Sequence, residues 1–466
     1  MTAREATDST IASDSGPSLA NALIQAGGPV QLLRNIPYDS QPFLMTPEFT
    51  NWRSEQQAWS RSCVLFDQTD SMTDLFLSGP DALKLLSRLG VNSFAAFPAG
   101  SAKQFVAVAP DGHMIGDSVL FHLDEGLYDL TGHTIVLDWV QFHAESGEYD
   151  VTVERDGNTA VRASTPPRFY RFELQGPTST AIMEQLTGTE LPPTKFFHMT
   201  QLEVAGHVAW ALRHGMAGQP GFELFGPWAD GAALLEAILE VGAEHGLIRA
   251  GRKAYSTANL GSGWVPAPLP AIYGDHPVLQ SYRDWLPANA VASIGGSMDS
   301  TKIEDYYLTP YDLGYGGIVK FDHDFIGREA LERLAADPPR TKVTLVWNGD
   351  DVAAAHRSLY APGPGAKYID MPKARYSLHQ EDKVLRDGEQ VGISLDCGYL
   401  ANERVMVSLA TVDVEHSQPG TELTVLWGES PNSAKPQVEE HVQVPIRATV
   451  APVPYATFAR GDYRTR

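Results

Sequence analysis

The stretch that decides the fold of this chain is VAWALRHGMAGQPGFELFGP, residues 208–227. Its two apolar runs, 208–212 and 222–225, flank a turn rich in glycine, which supplies the positive φ that such turns need, so a β-hairpin is predicted. Because side chains alternate across a strand, Phe222 and Leu224 are expected to face a core, with Glu223 on the other face. Glu223 is then either a solvated surface carboxylate or a buried acid that a ring edge with N–H donors would satisfy, since burying it unpaired is costly.

The same residues follow the pattern R-x-G-[YM]-x-G-x-x-G-[FLW]-E, matched here at Arg213, Gly215, Met216, Gly218, Gly221, Phe222 and Glu223. This segment resembles the folate-binding hairpin of the aminomethyltransferase (glycine cleavage T-protein) family. The resemblance implies that Glu223 hydrogen-bonds the pterin of tetrahydrofolate and that Arg213 and Met216 belong to the same cofactor site. Further short matches follow in the same order over nearly the whole chain from about residue 28.

A second segment, AGRKAYSTANLGSGWVPAPLP (residues 250–270), aligns with the family helix G-x-x-A-R-D-x-L-R-x-E-x-G, but Tyr255 stands where the T-protein has Arg. This departure resembles the branch of tetrahydrofolate-dependent aromatic O-demethylases of the vanillate and syringate type. That branch implies transfer of a methyl group from an aromatic methyl ether to N5 of tetrahydrofolate. A tyrosine, with a free pKa of about 10, is matched to a departing phenol, so Tyr255 is predicted to donate the proton; the alternative is an ordinary half-buried helix residue.

Two more residues are expected near the cofactor. Asp117 lies in a predicted hairpin after the turn Pro110-Asp111-Gly112, at the family's acid position, although Gly116 precedes it where T-proteins usually show a second acid. Asp117 therefore either handles a proton near folate N5 or only hydrogen-bonds the backbone or the folate. Trp264 is either an aromatic wall for the pterin or substrate ring or a core residue.

The substrate side departs from the vanillate-type enzymes. Asp70 and Ser71 stand where those relatives have a pair of histidines, and His133 stands where they have an arginine. We predict that these three residues line the substrate pocket, with a purely structural His133 as the alternative. Exchanging arginine for histidine removes a permanent bidentate clamp, which favours a substrate with its carboxylate elsewhere on the ring. An ortho-methoxybenzoate such as dicamba fits this expectation, and a vanillate-like lignin aromatic remains open.

Composition limits the remaining choices. The 466 residues include 35 basic and 57 acidic side chains, a formal charge of −22, so no overall basic surface for nucleic acid is present. Two cysteines argue against a disulfide scaffold and favour the reducing cytoplasm. Neither a signal peptide nor a membrane span is expected, and the absence of H-E-x-x-H and C-x-x-C motifs makes a metal unexpected. The partner is a small aromatic methyl ether, and the oligomeric state stays open.

The expected fold class is α+β, a three-domain cloverleaf like that of the T-protein, with two related α/β units and a C-terminal β-barrel or jelly roll. The predicted division is a disordered tail at 1–17, a folate-binding unit at 18–60 and 157–248, a second unit at 61–156 and 249–339, and the barrel at 340–466. Two alternative functions stay open. One is another folate-dependent transfer, such as glycine cleavage or sulfonium demethylation, and the other is a non-catalytic folate-binding protein.

Overall fold

The computed structural model describes residues 16–37, 45–132, 134–158, 165–429 and 435–461. The helices are α1 Leu19–Ala26, α2 Pro29–Asn35, α3 Trp52–Arg61, α4 Ala82–Leu89, α5 Thr134–Ala144, α6 Ser179–Thr187, α7 Gly231–Glu244, α8 Arg252–Tyr255, α9 Ala258–Ser262, α10 Pro277–Trp285, α11 Arg328–Leu334 and α12 Gly349–Ser358. The strands are β1 Cys63–Asp67, β2 Thr73–Ser78, β3 Ser101–Val108, β4 Met114–Asp124, β5 Leu127–Gly132, β6 Thr152–Asp156, β7 Phe169–Gln175, β8 Met199–Val204, β9 His207–Leu212, β10 Gly221–Pro227, β11 Leu247–Ala250, β12 Ile294–Gly295, β13 Arg340–Trp347, β14 His379–Gln380, β15 Asp382–Arg386, β16 Glu389–Leu400, β17 Val405–Asp413, β18 Glu422–Trp427 and β19 Val444–Ala451. The tail predicted at 1–17 lies almost entirely outside the described residues.

The predicted hairpin forms two strands of a six-stranded sheet, ordered β11–β1–β7–β10–β9–β8. As the alternation required, Phe222 and Leu224 lie in the apolar core beneath this sheet, together with residues of α6 and α7. Gly221 fits where no side chain could, because a Cβ there would come within 2.0 Å of the Leu174 carbonyl oxygen. Gly218 adopts a φ of +73° in the turn, the left-handed conformation that favours glycine.

The second unit contains a five-stranded antiparallel sheet, ordered β3–β4–β5–β2–β6. Its core includes apolar residues of α4, α5 and α10. Strand β1 pairs with β7 and β11 and therefore belongs to the first sheet. The division into units, with a boundary at residue 61, stays a prediction.

The third unit is a closed barrel, ordered β13–β17–β16–β15–β18–β19, whose first strand begins at Arg340. Its strands β16 and β17 contact α9. The segment 250–270, which aligns with a family helix, forms the short helices α8 and α9. The barrel therefore packs against the segment that carries Tyr255.

Candidate active site between the two sheets

Strand register places the acid of the hairpin beside a second acid. Glu223 on β10 lies opposite Glu173 on β7, and Glu173 lies opposite Phe66 on β1, so all three side chains share one face of the first sheet. Glu223 is only 7% exposed, which excludes the solvated surface carboxylate. Burial is the main cause that raises the pKa of Glu223 above its usual value.

Arg171 joins the two sheets and was not singled out from the sequence. From β7 its guanidinium donates to Glu223 (3.1 Å) within its own sheet, and to Asp74 (2.8 Å) and Asp129 (2.7 Å) on the second sheet. Arg171 is 1% exposed, and a buried guanidinium needs such partners. The signal was present in FYRFELQ (residues 169–175), where period-two alternation puts Arg171 and Glu173 on the same face.

Gln68 links Glu173 to Tyr255. Its Nε2 atom donates to Glu173 Oε2 at 2.9 Å and to the Tyr255 hydroxyl oxygen at 3.4 Å, while the Phe66 and Tyr255 rings pack in a T-shaped pair with centroids 5.4 Å apart. Burial, followed by the Glu223 charge, raises the pKa of Glu173 to about 8. Burial and then the charges of both glutamates raise the pKa of Tyr255, so the tyrosine is protonated at neutral pH.

The other two hairpin residues lie on the same turn. The backbone N–H of Met216 donates to Glu173 Oε1 at 2.8 Å, and its side chain packs in the same apolar cluster as Tyr255. The Arg213 guanidinium donates to the Thr194 carbonyl at 2.8 Å. The structure therefore brings Met216 and Glu223 together around Glu173, whereas Arg213 contacts the segment before β8.

Asp117 is the centre of a second polar group. Its Oδ2 atom accepts hydrogen bonds from Gln104 Nε2 (2.5 Å), Trp264 Nε1 (2.9 Å) and the Tyr315 hydroxyl (2.8 Å). Trp264 is thus a hydrogen-bond donor to Asp117, which neither sequence alternative included, and Tyr315 was missed because nothing local marks it. Burial is the main cause that raises the pKa of Asp117.

The predicted substrate residues are less closely grouped. Asp70 is exposed, and Ser71 is half-buried, with its backbone N–H donating to the Gln68 carbonyl at 2.9 Å. Both therefore lie in the turn that follows Gln68. His133 lies outside the described residues.

Two buried acceptor atoms fit a ring that carries N–H donors. Asp117 Oδ1 and Gln68 Oε1 are buried without a hydrogen-bond partner within the described residues. A buried acceptor left unsatisfied is costly, and a pterin ring edge supplies the donors that would satisfy it. Across the described ranges, no group of three His, Cys, Asp or Glu side chains could hold a metal ion, and no helix is long and apolar enough to cross a membrane.

The fold defines the class of protein. The architecture matches a crystal structure of the glycine cleavage system aminomethyltransferase T from Bartonella henselae, with a TM-score of 0.59 over 87% of this chain and 89% of that one, at 16% identity. A likeness at this identity speaks for the fold alone. It confirms the predicted three-domain α+β fold of the T-protein.

The family follows from sequence. The GCVT N-terminal domain family matches residues 19–266, and the chain belongs to this family. The relatives of this chain include a syringate O-demethylase from a Sphingobium species, 46% identical over 96% of this chain and 97% of the relative. A sesamin methylene transferase from a Sinomonas species is 32% identical (83% and 84% covered), and an aminomethyltransferase from Streptomyces avermitilis is 28% identical (79% and 83% covered). Membership confirms that the chain is an enzyme and that its cofactor is tetrahydrofolate.

Proposed function

We propose that this enzyme transfers the methyl group of an aromatic methyl ether to N5 of tetrahydrofolate, giving 5-methyltetrahydrofolate and a phenol. The hydroxyl of the half-buried Tyr255, held beside Gln68 and Glu173, is the observation that carries the proposal. The greater identity to the syringate O-demethylase (46%) than to the aminomethyltransferase (28%) supports the same reading. This difference in identity disfavours glycine cleavage, and it also disfavours a role limited to folate binding.

Tyr255 supplies the proton. When bound, tetrahydrofolate would supply N5 as the atom that takes the methyl group, and the proton that N5 loses would restore the Tyr255 hydroxyl. The methyl–oxygen bond breaks, its electron pair stays on the aryl oxygen, and that oxygen takes the proton of Tyr255. Because burial and the two glutamates raise the pKa of Tyr255, the hydroxyl keeps its proton until the aryl oxygen becomes charged.

The remaining residues hold and align the reactants. Glu223 is proposed to accept N–H groups of the pterin, with Met216, Arg213 and Trp264 lining the cofactor site. Asp117 Oδ1, the buried acceptor without a partner in the described chain, is proposed to accept another N–H of the cofactor. Alignment of this kind can supply roughly 7–11 kcal/mol of a barrier.

The substrate is proposed to be a methoxylated aromatic acid of the syringate type, because of the 46% identity to the syringate O-demethylase. Dicamba, expected from the exchange at His133, and a vanillate-like aromatic remain candidates, with Asp70 and Ser71 on the substrate side. The sesamin methylene transferase relative adds a methylenedioxy ring as a further candidate.

Cys63 and Cys397 are both free and buried, and we propose a cytoplasmic location.

The test is a transfer experiment with labelled ethers. Syringate, vanillate and dicamba carrying a ¹³C methyl group, and a benzoate with a ¹³C methylenedioxy bridge, are each incubated with the protein and tetrahydrofolate without oxygen. Mass spectrometry should find the label on folate in equal amount to the phenol formed. If the label stays on the ring for every ether while an aminomethylated lipoyl carrier yields methylene-folate and ammonia, glycine cleavage replaces the proposal.

A further inference from the structure

A buried group of charged side chains joins the barrel to the segment that carries Tyr255. Lys373 Nζ donates to the Ser256 carbonyl at 2.8 Å, to Asn259 Oδ1 at 3.3 Å and to the Asp396 carboxylate. Arg375 donates to the other Asp396 oxygen at 3.0 Å. The side chains of Lys373 and Asp396 are each 8% exposed, so their pairing is shielded from water.

These contacts fix the backbone on both sides of the site. Ser256 follows Tyr255 directly and ends α8, so Lys373 holds the peptide next to the tyrosine. Asn259 Nδ2 donates to Asp396 Oδ2 at 2.8 Å and to the Trp264 carbonyl at 2.9 Å. The Lys373–Asp396 pair therefore holds the backbone beside Tyr255 and, through Asn259, the backbone of Trp264.

Helix α8 needs this support. It has only four residues, and a helix this short is not stable without tertiary contacts. The carbonyl groups at the end of a helix also lack partners within it, and a lysine satisfies them while complementing the helix dipole. A buried ion pair is on average no better for stability than an apolar pair of similar size, so stability alone does not account for this arrangement.

We infer that Lys373 and Asp396 are positioning residues that hold Tyr255 in its reactive orientation. The inference rests on the proposed function, in which Tyr255 gives its proton to the aryl oxygen. A displacement of about 1 Å at a reacting group can cost roughly 10²-fold in rate, so loosening α8 should slow the chemical step.

A double-mutant cycle tests the inference. Lys373→Met is made in the wild-type chain and in Tyr255→Phe, and kcat and KM for tetrahydrofolate are measured for each. Lys373→Met should lower kcat about 10-fold in the wild type and less than about twofold in Tyr255→Phe, because the residue acts through the tyrosine. The KM for tetrahydrofolate should stay within about twofold of the wild type.

Lys367→Met is the matched control. Lys367 is a fully buried lysine of the same barrel and pairs with Glu429 at 2.6 Å, away from α8. Its loss should lower the melting temperature without changing kcat of the folded protein. If Lys373→Met does not fold, Asp396→Asn, which keeps the shape of the side chain, carries the same cycle.

The outcomes separate the two ideas. Wild-type kcat in both Lys373→Met and Asp396→Asn would overturn the inference and leave the role of Tyr255 intact. The same holds if Lys373→Met lowers kcat equally in the wild-type chain and in Tyr255→Phe. Full activity of Tyr255→Phe would overturn the proposed proton donor, and this inference with it.

Discussion

At the scale of single residues, the neighbours of Tyr255 decide where its hydroxyl can donate its proton. Gln68 Nε2 donates to both Tyr255 and Glu173, so the tyrosine oxygen accepts a hydrogen bond from the protein. Its own O–H is then free to donate to a ligand. A phenol arranged in this way is a better proton donor than one that donates to its neighbours.

Removing that hydroxyl should affect the chemical step and not folate binding. General acid catalysis contributes about 10²–10⁴-fold, so Tyr255→Phe should lower kcat by at least about 10²-fold. The Phe66 contact, which needs only the ring, is retained. Single-turnover transfer of a labelled methyl group and calorimetry with tetrahydrofolate check the two expectations. A full rate would remove Tyr255 as the acid.

Glu223→Gln should act on the cofactor instead. The amide can still accept from Arg171, but it loses the charge that strengthens hydrogen bonds from a ring edge. Hydrogen bonds to charged groups contribute about 1.5–3 kcal/mol, so affinity for tetrahydrofolate should fall about 10- to 100-fold. Glu203→Gln, an exposed position on β8, is the control. Unchanged affinity by calorimetry would remove Glu223 from the cofactor site.

At the scale of elements, Arg171 joins the two sheets through charged contacts, beside an apolar cluster that also lies between them. Arg171 on β7 bonds Asp74 of β2 and Asp129 of β5, and its guanidinium also lies 5.2 Å from the Phe121 ring of β4. Because this cation bonds carboxylates of both sheets, it stabilises the packing of one sheet against the other.

Arg171→Met should therefore destabilise the chain strongly. It leaves three buried carboxylates without their counter-charge, and breaking a buried pair costs about 3–5 kcal/mol. Arg168→Met is a matched control, since Arg168 pairs with Glu154 at 3.2 Å on the surface, where such pairs contribute about 0–1 kcal/mol. Thermal and urea unfolding of both variants check the difference. Equal stabilities would show that the arginine does not join the sheets.

At the scale of the whole molecule, the formal charge of −22 acts against an anionic substrate. Salt shortens the screening length from about 30 Å at about 0.01 M to about 8 Å at about 0.15 M. With tetrahydrofolate saturating, kcat/KM for syringate should rise several-fold over this range, while its uncharged methyl ester should change little. A fall for syringate would instead reveal a positive entrance to the site.

The sequence by itself determined the elements and the family. The hairpin was predictable because glycine spacing and period-two alternation are local, and the buried face of β10 follows from them. Tyr255 and Glu223 were found through their place in family motifs. The barrel was predictable from short strands separated by turns.

Only the tertiary structure brought the site together. Gln68 and Tyr315 carry no local signal of their role, and alternation gives only the face of Arg171 and not its partners, because the partners of all three lie on other strands and distant loops. The environment of Glu223 likewise depended on strand pairing, which placed Glu173 beside it and an arginine below. Burial and charge are properties of the assembled sheets, and so the pKa values of these groups were decided by packing and not by sequence.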